Sequence, residues 1–406
     1  MSLRARFGLG FVSIAVLALL VAGCGGGGKA GGGEELVIGE YGSLSGNDAD
    51  FGKSTKKGVE LAMDDLQSAK QGMIGGMRVR VVVEDDQGKP EEAATVVQKL
   101  VNQDRVIGVI GEVASSRSMA AGPICQKAGV PMISPSSTNP KVTEVGDYIF
   151  RMCFIDPFQG TVMAKFTAEY LKLKKVAILT DMKNEYSVGL TEFFKQVFVP
   201  LGGEIVAEQT YASGDQDFRG QLTAIKARNP EAIYLPGYYT EAGLIARQTR
   251  ELGLKVPILG GDGWESDQLI GIGGEALEGC YYSNHFAADN PEPRLQEFLQ
   301  KHKTKYGADP NAITGLAYDA ANVMFQALEQ LHAADPAAFA ALGSSKAGTP
   351  ERRAATQKLR DLIAATKDFA GVTGNITLDA NRNATKPAVV LEIKGGKKVY
   401  TTTINP

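Results

Sequence analysis

The chain has 406 residues, of which 44% are hydrophobic, 22% charged and 7% aromatic, with 48 glycines and a formal net charge of −3. That is ordinary globular composition, long enough for two or three domains' worth of core, and it excludes disorder and coiled coil. The charge balance offers no positive face for phosphates, so no nucleic-acid partner is expected. With three histidines and no Cys-x-x-Cys, neither a metal nor a cofactor is expected.

The first residues read as a leader. Arg4 and Arg6 precede an apolar run from Phe7 to Ala22. A spanning helix needs roughly 20 apolar residues, and this shorter run suits a signal-peptide core instead. The run ends Leu20-Val21-Ala22-Gly23-Cys24, which resembles a bacterial lipobox. The resemblance implies a lipoprotein signal peptide over residues 1–23 and lipidation at Cys24. Cleavage would carry away two arginines and leave a net charge of −5. Residues 24–34 are glycine-rich and too small-sided to offset their ordering entropy, so they predict a flexible tether. Its reach would be about 15–20 Å.

From Leu36 onward short apolar runs alternate with longer amphipathic ones. Strands are predicted at Leu36–Glu40, Val79–Glu84, Val106–Gly111, Pro131–Ser134, Val176–Thr180, Glu204–Gln209, Ala232–Leu235 and Val256–Leu259. Several are unbroken Val/Ile/Leu stretches, as parallel strands buried on both faces require. Helices are predicted over Ser54–Gln67, Glu91–Asn102, from Arg117, and over Thr161–Leu171, Ser187–Val199, Phe218–Arg228 and Thr240–Leu252. In the first, Val59, Met63 and Leu66 share one face. The alternation predicts an α/β protein with right-handed crossovers.

Eight strand runs by residue 259 exceed one doubly wound sheet, so two parallel-sheet lobes joined by hinge crossovers are predicted. Lobe 1 takes residues 35–154 and 284–376, and lobe 2 takes 155–283 and 377–406. The first seam lies near Tyr148–Cys153 and a second crossing near Gly279–Ser283. Helices at Arg294–Tyr306 and Gly315–His332 would return to lobe 1, and a hairpin of Ala388–Lys394 with Val399–Ile404 would close lobe 2. Residues 334–357 read as an exposed loop or short helix.

In open α/β sheets ligands gather beyond the carboxyl ends of the strands. In lobe 1 those positions carry Glu112-Val113-Ala114-Ser115-Ser116 and Pro135-Ser136-Ser137-Thr138-Asn139. Small hydroxyls and free amides beside a helix start suit an anion. Such serines also serve as ordinary helix caps. In lobe 2 the matching positions carry Asp181–Tyr186, Pro236-Gly237-Tyr238-Tyr239 and Gly260-Gly261-Asp262-Gly263-Trp264. An aspartate held between glycines suits an ammonium, although Asp-Gly is also common turn chemistry. Together the two sides would grip a zwitterion.

These segments, with Tyr41-Gly42-Ser43-Leu44-Ser45-Gly46, resemble the type I periplasmic binding proteins of ABC transporters, specifically the leucine/isoleucine/valine-binding branch. The likeness covers nearly all of residues 36–406 and rests on the order and spacing of the segments. It implies an extracytoplasmic solute-binding protein that captures a small amino acid by lobe closure and delivers it, as a lipid-anchored monomer, to a membrane permease. It implies that Ser115 and Thr138 hold the α-carboxylate. The α-ammonium would meet the carbonyl of Ser136, the hydroxyl of Thr138 and the acid Asp262. Phe51, Tyr186 and Tyr238 would surround the ligand. Where the family often carries glutamate this chain has Asp262, one methylene shorter, so the ligand sits closer or a water intervenes. Phe51 stands where tyrosine is also common. Hinges are implied near Cys153–Ile155, Cys280–Ser283 and Thr377–Lys386.

A ligand-sensing protein of the same fold is the alternative role, and an amide, urea or aromatic acid the alternative cargo. Sensors of this kind are usually fused to a spanning helix, and no second apolar run is found before Pro406. Cys153 and Cys280 lie on two proposed inter-lobe strands and are expected to pair as a disulfide if their Cα atoms come within about 7 Å. Cys125 is expected to be a buried thiol. No nucleophile, base or cofactor loop stands in order, so no enzymatic activity is expected. Asp379-Ala380-Asn381-Arg382-Asn383 resembles the start of a calcium loop, but Ala384 and Val390 stand where glycine and glutamate are needed, and it reads as a turn.

Overall fold

The computed structural model describes residues 35–344 and 346–406. The leader, Cys24 and the tether lie outside the described residues. Sixteen strands follow in order: β1 (Glu35–Gly42), β2 (Met73–Ile74), β3 (Met77–Asp85), β4 (Gly108–Ile110), β5 (Met132–Ser134), β6 (Ile149–Arg151), β7 (Lys175–Asp181) and β8 (Glu204–Tyr211), then β9 (Ala232–Tyr234), β10 (Ile258–Gly260), β11 (Cys280–Asn284), β12 (Phe369–Gly371), β13 (Gly374–Leu378), β14 (Ala384–Thr385), β15 (Ala388–Lys394) and β16 (Lys397–Ile404). The helices between them are α1 (Ala49–Lys70), α2 (Pro90–Asn102), α3 (Ser115–Ala128), α4 (Lys141–Glu144), α5 (Asp156–Lys165), α6 (Glu185–Phe198), α7 (Arg219–Lys226) and α8 (Tyr239–Glu251), then α9 (Gln268–Gly273), α10 (Pro293–Tyr306), α11 (Ala312–Ala334), α12 (Pro336–Ser344) and α13 (Pro350–Ala364).

Two main sheets form. The first has six strands in the order β2-β3-β1-β4-β5-β6, and the second has seven in the order β16-β15-β11-β10-β9-β7-β8. Strands β3, β1, β4, β5 and β6 run parallel, with Ile38 of β1 between Val81 and Gly108. Strands β8, β7, β9, β10 and β11 do the same, and the hairpin β15–β16 joins β11 antiparallel. In each sheet the order reverses beside the first strand, between β1 and β4 and between β7 and β9. That reversal opens a crevice at the strand ends.

Each sheet is buried on both faces. Leu36 and Ile38 of β1 face a layer of α1 and α11 side chains, including Val59, Ala62, Leu316 and Ala320. Helices α1 and α11 approach closely because Gly58 has no side chain; a Cβ there would meet the Thr314 carbonyl at 2.3 Å. The opposite face carries Val97, Leu100 and Val101 of α2 against Val109 and Met132. In the second lobe Val176, Ile178, Ile233 and Leu259 form the centre of the other core.

Three segments differ from expectation. Residues 334–357 hold α12 and the start of α13, in which Ala355, Leu359 and Ile363 bury a stripe at spacings of four against the first core. A small sheet β12-β13-β14 was not foreseen, because its strands are two to five residues long. Ile376, Leu378 and Ala384 from this sheet are buried in the first lobe's core, and Ala388 is the next residue buried in the second's. The third crossing therefore falls after Thr385, at the end of the implied Thr377–Lys386 hinge, and residues 377–385 belong to the first lobe and not to the second. The Asp379 segment is the expected turn, with Asp379 Oδ1 accepting from the amides of Asn381 and Asn383 at 2.8 Å.

The expected Cys153–Cys280 disulfide is not formed; both are free, buried thiols, as is Cys125. The reason is direction. Cys153 turns into the first lobe's core, its thiol 3.4 Å from the Ser137 carbonyl, while Cys280 turns into the second core beside Arg250.

Candidate functional site

The crevice ends of the two sheets face each other, and the lobes are closed on one another. Tyr239 Oη and Thr240 Oγ1 of the second lobe donate to the Asn47 carbonyl of the first at 2.9 and 2.8 Å. Ser266 Oγ donates to Asp50 Oδ2 at 2.6 Å, and Asn139 Nδ2 to the Glu185 carbonyl at 2.9 Å.

On the first-lobe side, the loop after β4 leads into α3. The residue at that helix's N-cap is Ala114, whose side chain offers no acceptor, so the Ser115 and Ser116 amides have no side-chain cap, while the Arg117 amide bonds the Ala114 carbonyl at 3.1 Å. Ser115 opens the helix and its hydroxyl accepts from the Asn139 amide at 3.1 Å, drawing the loop after β5 alongside. Glu112 pins the first loop: Oε1 accepts from Ser43 Oγ at 2.9 Å and from Arg117, and Oε2 takes the Ala114 amide. The Thr138 carbonyl accepts from the Asp156 amide at 2.9 Å, which joins this loop to the start of α5.

On the second-lobe side, Asp262 stands just past β10 and is buried. Its Oδ1 accepts from Tyr186 Oη at 3.0 Å, and the same hydroxyl accepts from the Gly263 amide at 3.1 Å. Asn184 caps α6 and so sets the start of the helix that carries Tyr186. Gly261 is required by close approach: a Cβ there would lie 2.3 Å from Tyr186 Oη and 2.6 Å from Gln159 Oε1. The Tyr238 ring stacks on Tyr186 at 5.5 Å and meets Phe51, from the first turn of α1, edge-on at 5.2 Å. Across the cleft Ser136 Oγ lies 3.4 Å from Asp262 Oδ2.

All seven expected residues are therefore drawn together. Phe51, Tyr238, Tyr186, Asp262 and Ser136 form one chain of contacts, and Ser115 is bonded to the residue after Thr138. Phe51, Val113, Ala114 and Ile313 of the first lobe pack in the same apolar cluster as Tyr186 and Tyr238. The result is an apolar wall with the buried Asp262 carboxylate on the second-lobe side and the start of α3 on the first-lobe side.

A family model described as periplasmic binding protein matches residues 35–398. The chain belongs to that family. A relative from Pseudomonas aeruginosa, named amino acid binding protein, is 34% identical over 310 residues, covering 75% of this chain and 80% of the relative. The crystal structure of a leucine-binding protein from Thermotoga maritima superposes with a TM-score of 0.83 at 36% identity, over 91% of this chain and 99% of that one. A branched-chain amino acid transporter substrate-binding protein from Streptococcus pneumoniae, in complex with isoleucine, gives 0.82 at 33% identity, over 92% of this chain and 100% of that one. The periplasmic binding protein described here is thus of type I and of the branched-chain amino acid branch. It is a substrate-binding protein of the ABC-transporter kind, and the family places it outside the cytoplasm. None of its described helices is long and apolar enough to cross a membrane.

The site of this binding protein holds groups that the strand-end rule alone does not bring out. Gln159, on α5 just past the first crossing, accepts from the Asp262 amide at 2.7 Å and from Ser283 Oγ at 2.7 Å. His285, one residue past β11, places Nε2 3.0 Å from Asp262 Oδ2. Arg117 is buried on α3 between Ser43, Asp48 and Glu112; burial opposes its charge, but Glu112 and Asp48 outweigh that and hold it firmly protonated. Burial pushes the Asp86 carboxyl beside this group up to about 8, and Glu112 adds to the effect. Burial pushes Asp156 up to about 8 as well, with Asp262 adding to it against pulls from Thr138 and Arg151. No local signal marked either residue: His285 lies just past the predicted crossing at Gly279–Ser283, and Gln159 two residues before the predicted helix Thr161–Leu171.

Proposed function

We propose that this protein is the solute-binding component of an ABC importer, capturing an amino acid with an apolar side chain, a branched-chain one first, and handing it to a membrane permease. The observation that carries the reading is the buried, glycine-flanked Asp262 facing the hydroxyls and uncapped amides of the first lobe. A ligand bearing both an ammonium and a carboxylate satisfies both sides at once. Ser115 and Thr138 would take the carboxylate, aided by the start of α3. The Ser136 carbonyl, the Thr138 hydroxyl and Asp262 would take the ammonium. The apolar cluster of Phe51, Val113, Ala114, Ile313 and Tyr238 would take the side chain.

Closure follows from differential affinity: the ligand bridges both lobes only in the closed state and so shifts the population toward it. Cys24 would tether the body to the membrane, where the closed form is what the permease reads.

The reading is tested by thermal shift. The protein is unfolded and refolded to strip carried ligand, then melted with each of the twenty amino acids, urea, short amides and benzoate. Binding to the folded state alone adds about 2.7 kcal/mol at a hundredfold excess over Kd. The expected outcome is a rise with leucine, isoleucine or valine. A rise with benzoate or amides alone would discard the ammonium role of Asp262.

A further inference from the structure

His285 is a buried polar group at the centre of the site. It follows β11, where the chain begins its second passage between the lobes. Its ring stacks on Phe154 at 4.0 Å and 24°, and Phe154 belongs to the first crossing. Nε2 lies 3.0 Å from Asp262 Oδ2 and 3.5 Å from Ser136 Oγ, while Nδ1 is buried with no partner among the described residues. Burial holds the imidazole below the ordinary histidine range, against the pull of Asp262. The ring is therefore neutral near pH 7, and beside a carboxylate its one hydrogen belongs on Nε2.

Asp262 is consequently fixed at three points. Gln159 holds its amide, Tyr186 holds Oδ1, and His285 holds Oδ2. Two of these three holders, Gln159 and His285, sit at the crossings between lobes and not at sheet ends. A carboxylate pinned on both oxygens cannot rotate; Oδ1, met only by Tyr186, keeps a lone pair for a further donor, whereas Oδ2 is met by both His285 and Ser136.

We infer that His285 is a positioning residue for ammonium recognition: its Nε2–H locks the Asp262 carboxylate toward the cleft, and its protonation state tunes how well a cationic ligand group binds there. This rests on the amino-acid reading above and extends it to a residue outside the strand ends. In the neutral state His285 leaves the negative charge of Asp262 uncompensated for the ligand. When protonated, it places a positive charge beside Asp262 that opposes the ligand's ammonium. The other charged groups facing the ring are Glu265 and Lys386. Glu265 is engaged by Lys398 at 3.1 Å and Tyr282 at 2.7 Å, and Lys386 donates to Thr373 Oγ1 at 2.5 Å. Phe154 and Ser136 are uncharged. Asp262 is therefore the charge that a change on His285 reaches most directly.

The test is calorimetric titration with L-leucine from pH 8 to pH 5, using wild type, His285→Gln and His285→Phe. Glutamine keeps a donor and cannot titrate, whereas phenylalanine keeps the stack on Phe154 and loses the donor. Wild-type affinity is expected to hold near neutrality and then fall about fivefold or more below the ordinary histidine range. His285→Gln should stay within about threefold of wild type at pH 7.5 and lose that acid-side fall. His285→Phe should bind about tenfold more weakly at pH 7.5, the size expected when a hydrogen bond to a charged group is lost. A His285→Gln profile parallel to wild type, or full affinity in a folded His285→Phe, would overturn the inference while leaving the amino-acid reading intact. Wild-type protein that binds no amino acid at any pH would overturn the reading and the inference with it.

Discussion

The first lobe meets the cleft with short hydroxyl side chains and backbone amides, the second with a carboxylate and a group of rings. On the first-lobe side the groups tie two neighbouring strand-end loops to each other: Ser115 to Asn139, and Ser137 to the carbonyls of Glu112 and Val113. On the second-lobe side they are tied to elements far apart in the chain, since Asp262 is held by residues from α5, α6 and the end of β11. The difference teaches where affinity should concentrate. Uncapped amides and hydroxyls share a carboxylate's charge among several donors, so losing one is tolerated. An ammonium facing a single acid depends on it.

The largest expected effect is therefore on the second-lobe side. Asp262→Ala should weaken amino-acid binding by tenfold or more, since losing one partner of a buried charge pair costs about 2–5 kcal/mol. Calorimetric titration checks it, and unchanged affinity would remove the ammonium role. Gly261→Ala comes next. Its Cβ would press on Tyr186 Oη and Gln159 Oε1, two groups that hold Asp262, so a clear loss of affinity is expected from a methyl group that touches no ligand. If Gly261→Ala binds like wild type, the three-point fixation of Asp262 is unnecessary.

On the first-lobe side, Ser115→Ala and Thr138→Val should each cost about 0.5–1.5 kcal/mol, the net worth of one hydrogen bond. If either matched Asp262→Ala, the contrast between the two faces would fail.

The smallest effect on binding lies outside the cleft. Glu40, on the α1 face of β1, is pushed up to about 8 from 4.5 by burial, with Glu60 adding to it. The folded chain keeps this proton in the range where the unfolded chain has released it, so stability falls as pH rises from about 4.5 to about 8. Glu40→Gln removes that loss. It should raise the melting temperature at pH 9, change it little at pH 4, and leave ligand affinity unaltered.

The sheets were legible in the sequence because Val176–Thr180 and runs like it are unbroken apolar stretches that fit only a strand buried on both faces. The candidate site was legible for the same reason: Ser115, Thr138 and Asp262 all stand where such strands end. Three things were not. Helix α13 carries its stripe at Ala355, Leu359 and Ile363 within an alanine-rich segment whose glycines and Pro350 read as loop. Cys153 and Cys280 were placed on crossings, but side-chain direction decides pairing, and direction is invisible until the two cores exist. His285 and Gln159 act on Asp262 through contacts between crossings, which no local spacing reports.

The central claim is that the cleft recognises both ends of a zwitterion, one on each lobe. Titration of ligand-stripped protein with L-leucine, leucinamide and N-acetyl-L-leucine tests it most directly, because the two analogues each lack one charge. Leucine is expected to bind at least tenfold more tightly than either, the size of one lost charged contact. N-acetyl-L-leucine or leucinamide binding as tightly as leucine would contradict the division of charge between the lobes.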